Sequence, residues 1–337
     1  MKNLITRKQF VLGAAVGAAA LASGTARAAR ATVIRLGLDL PVDHPTTVNA
    51  VEAGKKIKDA TNGEVEVQVF PNSQLGDDTH MLANLRSGAM QMMAIGDNIL
   101  GTLVPSASID NIGFAFKDPE TAWKALDGEV GDIVRADIAK TGLVPMHRIW
   151  DEGFRQITSS AKPVNTPEDL HGFKMRVPPS PISLALFSGL GSAPATINAS
   201  ELYTALQTHV VDGQENPLGN IETMKLYQVQ KYCALSDHMW VGYWMLMNGA
   251  FWSGLPENHR KIVADTFDAQ ALVQRVANQK LDSTLEETLK QQGMEFTRPD
   301  HAAFQKVLVQ SGFYKTWQAK FTPALWSALE KYSGPLG

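Results

Sequence analysis

Two arginines inside otherwise apolar strand segments are the residues of this chain that most suggest recognition chemistry. Arg155 lies on one face of a predicted strand, and Arg176 ends a second predicted strand just before Pro178. Side chains near the carboxyl ends of strands in an α/β sheet face the crevice where ligands bind. A guanidinium matches a carboxylate, and each charge-assisted hydrogen bond contributes about 1.5–3 kcal/mol. Both arginines are therefore candidates for binding an anion, and the alternative is pairing with a carboxylate of the protein, such as Asp169 or Glu215.

A second group of candidates lies at predicted strand ends and in the loops after them. Asn216 precedes Pro217, which forces an extended backbone and could present the amide to a ligand. The other candidate cleft residues are Asp39, His44, Asp97, Trp150 and Trp240. The tryptophans could stack on a ring or cover an alkyl chain, or they could pack the hinge, whereas the acids would suit the hydroxyls of a sugar acid. These residues leave the choice between a sugar acid, a keto or hydroxy acid and an aromatic carboxylate open.

Signatures of catalysis are absent from the sequence. It contains no Gly-x-Ser-x-Gly elbow, no His-Glu-x-x-His and no phosphate loop ending in Gly-Lys-Ser/Thr. The eight histidines include no pair at ligand spacing on one predicted helix, and the single cysteine, Cys233, permits no disulfide. We therefore expect no enzyme, no metal and no cofactor. The alternative from another class is a secreted lyase or hydrolase acting on a carboxylate, with Asp97 or Glu152 and a histidine as its catalytic groups.

Composition and periodicity predict a globular α/β protein. With 44% hydrophobic residues and a formal net charge of −3, the chain is neither a disordered protein nor a typical nucleic-acid binder. Predicted strands alternate with helices along its length. Residues 256–292 contain no internal Pro or Gly, and apolar residues recur there at four-residue steps. This pattern predicts a helix of about 35 residues, roughly 50 Å long, which would span two lobes.

The first 28 residues have the pattern of an export signal. Lys2, Arg7 and Lys8 precede an apolar segment at 11–23, and a small-x-small cleavage site ends at Ala28. The apolar segment is too short to cross a membrane, so we expect cleavage and a periplasmic protein without stable membrane insertion. Cleavage would remove the four positive charges of residues 1–28 and change the formal net charge from −3 to −7. The export route stays open, because Arg7 and Lys8 only approximate a twin-arginine motif.

Seven segments in family order resemble the solute-binding proteins of tripartite ATP-independent periplasmic (TRAP) transporters, the dicarboxylate-binding-protein-like family. The segments are His44-Pro45, VFPNSQLG (69–76), GFRQIT (153–158), PEDLHGFKMR (167–176), ELYTALQ (201–207), VDGQENP (211–217) and QKY (230–232). Each segment is weak alone, but together they extend over nearly the whole mature chain.

The resemblance implies a two-lobed clamshell that closes on a ligand in the cleft. Lobe I would comprise residues 29–152, completed by about 241–281, and lobe II residues 153–240, completed by about 282–337, with hinges near Glu152 and Trp240. It further implies that Arg176 makes the main salt bridge to the ligand carboxylate. Arg155 would support that contact, and Asn216 would contribute a hydrogen bond.

The resemblance also implies a role in transport. The protein would capture a small organic carboxylate (a sugar acid, a keto or hydroxy acid, a dicarboxylate or an aromatic acid) and deliver it to the membrane permease subunits of a TRAP transporter. We expect it to act as a monomer and to bind no nucleic acid. The alternative among binding proteins is the clamshell of an ATP-driven importer.

Overall fold

A computed structural model describes residues 31–337, and the predicted signal peptide lies outside the described residues. Within the described range, no helix combines the length and the apolar character needed to cross a membrane. The strands there are β1 (Thr32–Gly37), β2 (Val65–Phe70), β3 (Met92–Gly96), β4 (Leu143–Pro145), β5 (Trp150–Phe154), β6 (Gln156–Ser159), β7 (Lys174–Val177), β8 (Ala193–Thr196), β9 (Gly213–Asn216), β10 (Tyr232–Ala234), β11 (Trp240–Asn248) and β12 (Glu295–Thr297). The α-helices there are α1 (Pro45–Ala60), α2 (Asp78–Ser87), α3 (Asp97–Leu100), α4 (Pro119–Asp127), α5 (Glu129–Ala139), α6 (Pro181–Gly189), α7 (Ala199–Gln207), α8 (Leu218–Thr223), α9 (Gly249–Gly254), α10 (Glu257–Gln291), α11 (His301–Gln310), α12 (Phe313–Gln318) and α13 (Pro323–Ser333).

The strands form two sheets, one in each lobe of an α/β protein, which confirms the predicted fold class. The sheet of lobe I has the order β2-β1-β3-β11-β4. Strand β5 pairs with residues 240–243 at the start of β11, and β4 pairs with residues 246–248 at its end. Its first three strands are parallel, so their carboxyl ends meet at one edge. The segments that follow β1 and β3 at this edge carry Asp39 and Asn98.

The sheet of lobe II has the order β12-β10-β6-β9-β7-β8. Strands β7, β8 and β9 are parallel, and Arg176 of β7 pairs with Ala195 on one side and Gln214 on the other. Arg176 therefore lies near the carboxyl edge of this sheet, directly before the segment that leads to α6.

Two neighbouring strand crossings connect the lobes. Only Arg155 separates β5 of lobe I from β6 of lobe II, and the chain returns between β10 and β11. The backbone N–H of Arg155 donates to the carbonyl of Met239 on the returning segment at 2.8 Å. The two crossings are thus joined by a hydrogen bond at the boundary between the lobes.

Helix α10 is the third connection and confirms the predicted long helix. Its 35 residues pack against α1 and β5 in lobe I and against α8 in lobe II. Gln274 accepts from the backbone N–H of Asp151 at 2.9 Å, and Asn278 donates to the Asp151 carboxylate at 2.7 Å. These polar contacts fix the helix to the crossing strand β5.

The structure corrects some predicted boundaries. The segment 119–140, predicted as one helix, is divided at Gly128, and the segment 313–332 is divided just before Pro323, a residue that is accommodated only in the first turn of a helix. The predicted division also assigned residues 282–337 to lobe II. Helices α11 and α12 do pack on α6 of lobe II, but α13 packs on α4 and α5 of lobe I.

Candidate ligand-binding cavity

A cavity lies between the two sheets, where the carboxyl ends of β1, β3 and β7 face each other. Lobe I contributes Asp39, Asp78, Gly96, Asn98, Ile99, Glu152 and Tyr243. Lobe II contributes Arg155, Arg176, Pro178, Ala199, Asn216, Asn220 and Met224. The lining comes from both lobes and is mostly polar, which suits a small polar molecule. Most of its polar side chains are buried, so the lobes are closed around it.

Arg176 is a buried cation that has no anionic partner in the described part of the chain. Its residue is 2% exposed, and its Nε donates to the carbonyl of Ile197 at 2.8 Å. Among residues 31–337, no carboxylate oxygen lies within 4.0 Å of its guanidinium nitrogens. Burial lowers the pKa of Arg176 to about 10, although Glu215 acts in the opposite direction. An anion bound in the cavity would supply the missing countercharge.

Arg155, in contrast, is fully engaged by the protein. It forms ion pairs with Glu215 and with Glu152, the latter at 2.9 Å. It also donates to the Glu215 carbonyl at 2.8 Å and to the side-chain oxygen of Asn216 at 3.0 Å. Burial acts to lower the pKa of Arg155, but Glu215 and Glu152 outweigh it and raise that pKa above its usual value. The geometry makes Arg155 the centre of an ion-pair network beneath the cavity.

The Arg155 network extends to the returning crossing. Glu215 is in contact with Nε2 of His238 at 3.3 Å, and Nδ1 of His238 lies 2.9 Å from the Ser236 hydroxyl. Burial acts to raise the pKa of Glu215, but Arg155 and His238 outweigh it, so this pKa lies below its usual value. Glu215 is therefore ionised and holds Arg155 in place.

Carboxyl groups form the lobe I side of the cavity. Asp39 accepts a hydrogen bond from the Tyr243 hydroxyl at 3.0 Å, and one oxygen of Asp78 is buried without a partner among the described residues. Burial raises the pKa of Asp39, and burial together with the charge of Asp39 raises that of Asp78 well above its usual value. Burial also raises the pKa of Glu152 to about 7, against the effect of Arg155.

Side-chain amides complete the polar wall. Asn220 donates to Glu152 at 2.8 Å and to Asn216 at 3.2 Å. The Nδ2 of Asn98 is buried and has no partner among the described residues, so it is free to donate to a ligand. The wall therefore combines one unpaired cation with several hydrogen-bond acceptors and amide donors.

The structure brings four of the eight predicted binding residues to the cavity wall: Arg176, Arg155, Asn216 and Asp39. Asp97 lies behind the wall, where it accepts from Asn111 at 2.8 Å and from the backbone N–H of Gly242 at 2.7 Å. Its sequence neighbour Asn98 takes the place at the surface of the cavity.

The other three predicted residues, Trp150, Trp240 and His44, are buried outside the cavity wall. Trp150 packs against Phe267 of α10, with ring centroids 6.1 Å apart. Trp240 donates its indole N–H to Asp151 at 2.9 Å. His44 caps α1 through Nδ1, which accepts from the backbone N–H of Thr46 at 3.2 Å. Their surroundings assign these three to packing and capping, so we leave them out of the binding set.

Sequence reasoning did not place Asp78, Asn220 or Glu152 in the binding set, although all three line the cavity. Asp78 follows Asp77 at the start of a helix. Acidic residues are common there because they interact favourably with the helix dipole, so the sequence did not single Asp78 out as a binding residue. Asn220 lies four residues after Asn216, on the first turn of α8, and a helical projection of that segment is the signal that could have found it.

The two α/β lobes closed over a polar cavity with a free guanidinium define a two-lobed solute-binding protein. Comparison with known proteins supports this classification. Residues 37–316 match the family described as bacterial extracellular solute-binding protein, family 7. The chain is 35% identical over 312 residues to the C4-dicarboxylate-binding periplasmic protein DctP of Rhodobacter capsulatus, covering 90% of this chain and 92% of the relative.

Solved structures show the same fold. A TRAP periplasmic solute-binding protein from Sulfurospirillum deleyianum with bound succinate has a TM-score of 0.83 and 30% identity, covering 90% of this chain and 98% of the other. The sugar-acid-binding protein DctPAm from Advenella mimigardefordensis, in complex with galactonate, has a TM-score of 0.86 and 26% identity, covering 90% and 98%. This chain belongs to family 7 of the bacterial extracellular solute-binding proteins, the solute-binding proteins of TRAP transporters. Members of this family bind solutes and are not enzymes.

Proposed function

We propose that this protein captures a small organic carboxylate in the periplasm and delivers it to the permease of a TRAP transporter. Arg176 supports the proposal most strongly, because a buried guanidinium without a carboxylate partner is costly until an anion occupies the cavity. The relatives support the same class of ligand, since one is named for C4-dicarboxylates and two are solved with succinate and galactonate.

In this proposal the two arginines have different roles. The terminal nitrogens of Arg176 bind the ligand carboxylate, while its Nε keeps the hydrogen bond to Ile197. Arg155 is a positioning residue, because its ion pair with Glu152 and its hydrogen bond to the side-chain oxygen of Asn216 hold both at the cavity wall. Asn216 contributes a polar contact from lobe II.

Ligand contact with both lobes favours the closed conformation, and the movement takes place at the crossings near Glu152 and Trp240. The protein acts as a monomer, carries out no chemical step on its ligand, and loses its signal peptide near Ala28.

A thermal-shift screen of the mature protein, followed by titration calorimetry, tests the proposal. The screen would contain sugar acids, C4-dicarboxylates, keto acids and aromatic carboxylates, with neutral sugars and amines as controls. A ligand at 100 times its Kd stabilises the folded state by about 2.7 kcal/mol and raises the Tm by several degrees. We expect a shift with at least one class of carboxylate.

The Arg176→Ala variant should lose this shift and remain folded. A matched control is Arg298→Ala, which removes an exposed arginine of lobe II that pairs with Glu286 on the surface, and it should bind as the wild type does. A shift with a neutral or cationic compound but with no acid would contradict the proposal. So would turnover of the bound acid by the purified protein, which would indicate the lyase or hydrolase alternative.

A further inference from the structure

The charges of the cavity wall are distributed unequally between the two lobes, and this limits the ligand. Lobe II contributes Arg176 and Arg155, and lobe I contributes Asp39, Asp78 and Glu152. Because Arg155 is already paired with Glu152 and Glu215, only Arg176 remains to neutralise a charge on the ligand among the cations that line this cavity.

A ligand carboxylate bound to Arg176 therefore neutralises the one positive charge of the described cavity wall that has no carboxylate partner. A second carboxylate on the same ligand would extend toward lobe I, where Asp39 and Asp78 line the wall. A second carboxylate would be buried there without a free cation to neutralise it, and a buried charge left unpaired costs several kcal/mol. Any carboxyl group of this wall that is ionised adds repulsion to that cost. Lys225 borders the adjoining groove, which shares Asp39 and Met224 with the cavity, but it is exposed to solvent and lies outside the cavity wall.

The same carboxyl groups can form hydrogen bonds with hydroxyl groups of a ligand. Within residues 31–337, one oxygen of Asp78 is buried without a hydrogen-bond partner, and the Nδ2 of Asn98 is buried without an acceptor. A hydroxyl group can donate to the first and accept from the second. A buried polar atom that stays unpaired is costly, so a ligand with several hydroxyls gains more here than an apolar chain of the same length.

Aromatic surface in the cavity wall is limited. Tyr243 is the aromatic residue of the wall, and its hydroxyl is committed to Asp39. Trp150 and Trp240 are buried elsewhere, so neither supplies a stacking face to a ligand ring. The composition of the wall thus favours a polyhydroxylated chain over an aromatic acid.

We propose, building on the proposed function, that the ligand is a polyhydroxylated monocarboxylate. Its carboxylate binds Arg176, and its hydroxyls bind Asp39, Asp78 and Asn98. Dicarboxylates are disfavoured because the described cavity wall offers no second unpaired cation. Asp78 is the main specificity-determining residue, because it is buried and one of its oxygens has no other hydrogen bond among the described residues.

Matched pairs of acids test this inference by titration calorimetry. D-erythronate and galactonate would be compared with meso-tartrate and galactarate, which have the same carbon chains but a second carboxylate. Butyrate and hexanoate would serve as the analogues without hydroxyls, and γ-aminobutyrate as a zwitterion. For the chain length that binds, we expect the hydroxylated monocarboxylate to bind about 100-fold more tightly than its dicarboxylate partner.

Asp78→Asn should reduce this preference to about 10-fold or less, because the amide keeps the size of the side chain, is uncharged at every pH and can donate to a second carboxylate. Asp43→Asn changes the net charge equally at an exposed position outside the cavity wall and should leave the preference unchanged. Ligand-free melting curves of both variants would show that they are folded.

The outcomes separate this inference from the proposed function. If a dicarboxylate, an unhydroxylated acid or γ-aminobutyrate binds as tightly as the hydroxylated acid, the inference is wrong. If that binding is also lost in Arg176→Ala, the proposed function still holds. If no carboxylate binds, or if binding does not depend on Arg176, both are wrong.

Discussion

Replacement of Arg176 by lysine would test whether the fork of the guanidinium, and not only its charge, binds the ligand. Lysine has one ammonium group and cannot bind both oxygens of a carboxylate while also donating to the Ile197 carbonyl, which Arg176 contacts at 2.8 Å. Loss of one charge-assisted hydrogen bond costs about 1.5–3 kcal/mol. We therefore expect Arg176→Lys to weaken binding about 10- to 140-fold, since 1.4 kcal/mol is a tenfold change in Kd.

Arg176→Met separates binding from folding. Burial lowers the pKa of Arg176 from 12.5 to about 10 in the ligand-free protein, which corresponds to a cost of roughly 3 kcal/mol for keeping this side chain charged. Removal of the charge recovers this energy and loses the charge-assisted hydrogen bond to Ile197, worth about 1.5–3 kcal/mol. The expected net effect is a ligand-free protein that is as stable as the wild type or more stable by up to about 1.5 kcal/mol and that does not bind the ligand.

Calorimetric Kd values for the wild type and both variants would test bidentate recognition, and urea unfolding without ligand would test the effect of the Arg176 charge on stability. Binding by Arg176→Lys within threefold of the wild type would refute bidentate recognition. A clear loss of ligand-free stability in Arg176→Met would show that Arg176 supports the fold and not a ligand.

Two further predictions concern the region where α10 passes the crossing strand β5. Burial, followed by the charges of Asp151 and Asp237, raises the pKa of Asp282 to about 8, so the contribution of this group to the unfolding free energy should fall as the pH rises from about 4 to about 8. Asp282→Asn should remove this part of the pH dependence and be more stable than the wild type at pH 8, whereas Glu287→Gln, exposed on the same helix, should follow the wild-type curve in urea unfolding. Gly153 has a φ of +121°, which side-chain-bearing residues rarely adopt, so Gly153→Ala should lower the unfolding free energy by ~1–3 kcal/mol. The control is Gly254→Ala, where the new methyl group would meet open space. If the two variants have the same unfolding free energy, the reasoning about Gly153 is wrong.

Local periodicity was enough to predict the long helix, because a continuous segment without Pro or Gly and with apolar residues at four-residue steps has few alternatives. Helix α10 accordingly begins and ends within two residues of the predicted limits. The breaks at Gly128 and before Pro323 were missed, because both fall inside segments whose apolar pattern continues on either side. The position of α13 on lobe I depends on contacts across the whole chain, and no local pattern contains that information.

The candidate site shows the same division between local and long-range information. Arg155 and Arg176 both lie near strand ends. Only the fold brings Glu215 to Arg155, across about 60 residues of chain, and leaves Arg176 without a carboxylate partner. The tryptophans were ambiguous for the same reason, since an indole near a crossing can face either the cleft or the core.

The sequence by itself therefore determined the alternating strands and helices, the long helix and the family to which the chain belongs. These properties depend on residue types at short spacing or on segments in a fixed order. The tertiary structure decided which of the two arginines is free to bind an anion and which carboxyl groups line the cavity with it. Charges act through space, so their pairing depends on how the two sheets are placed against each other, and neighbours in sequence do not reveal it.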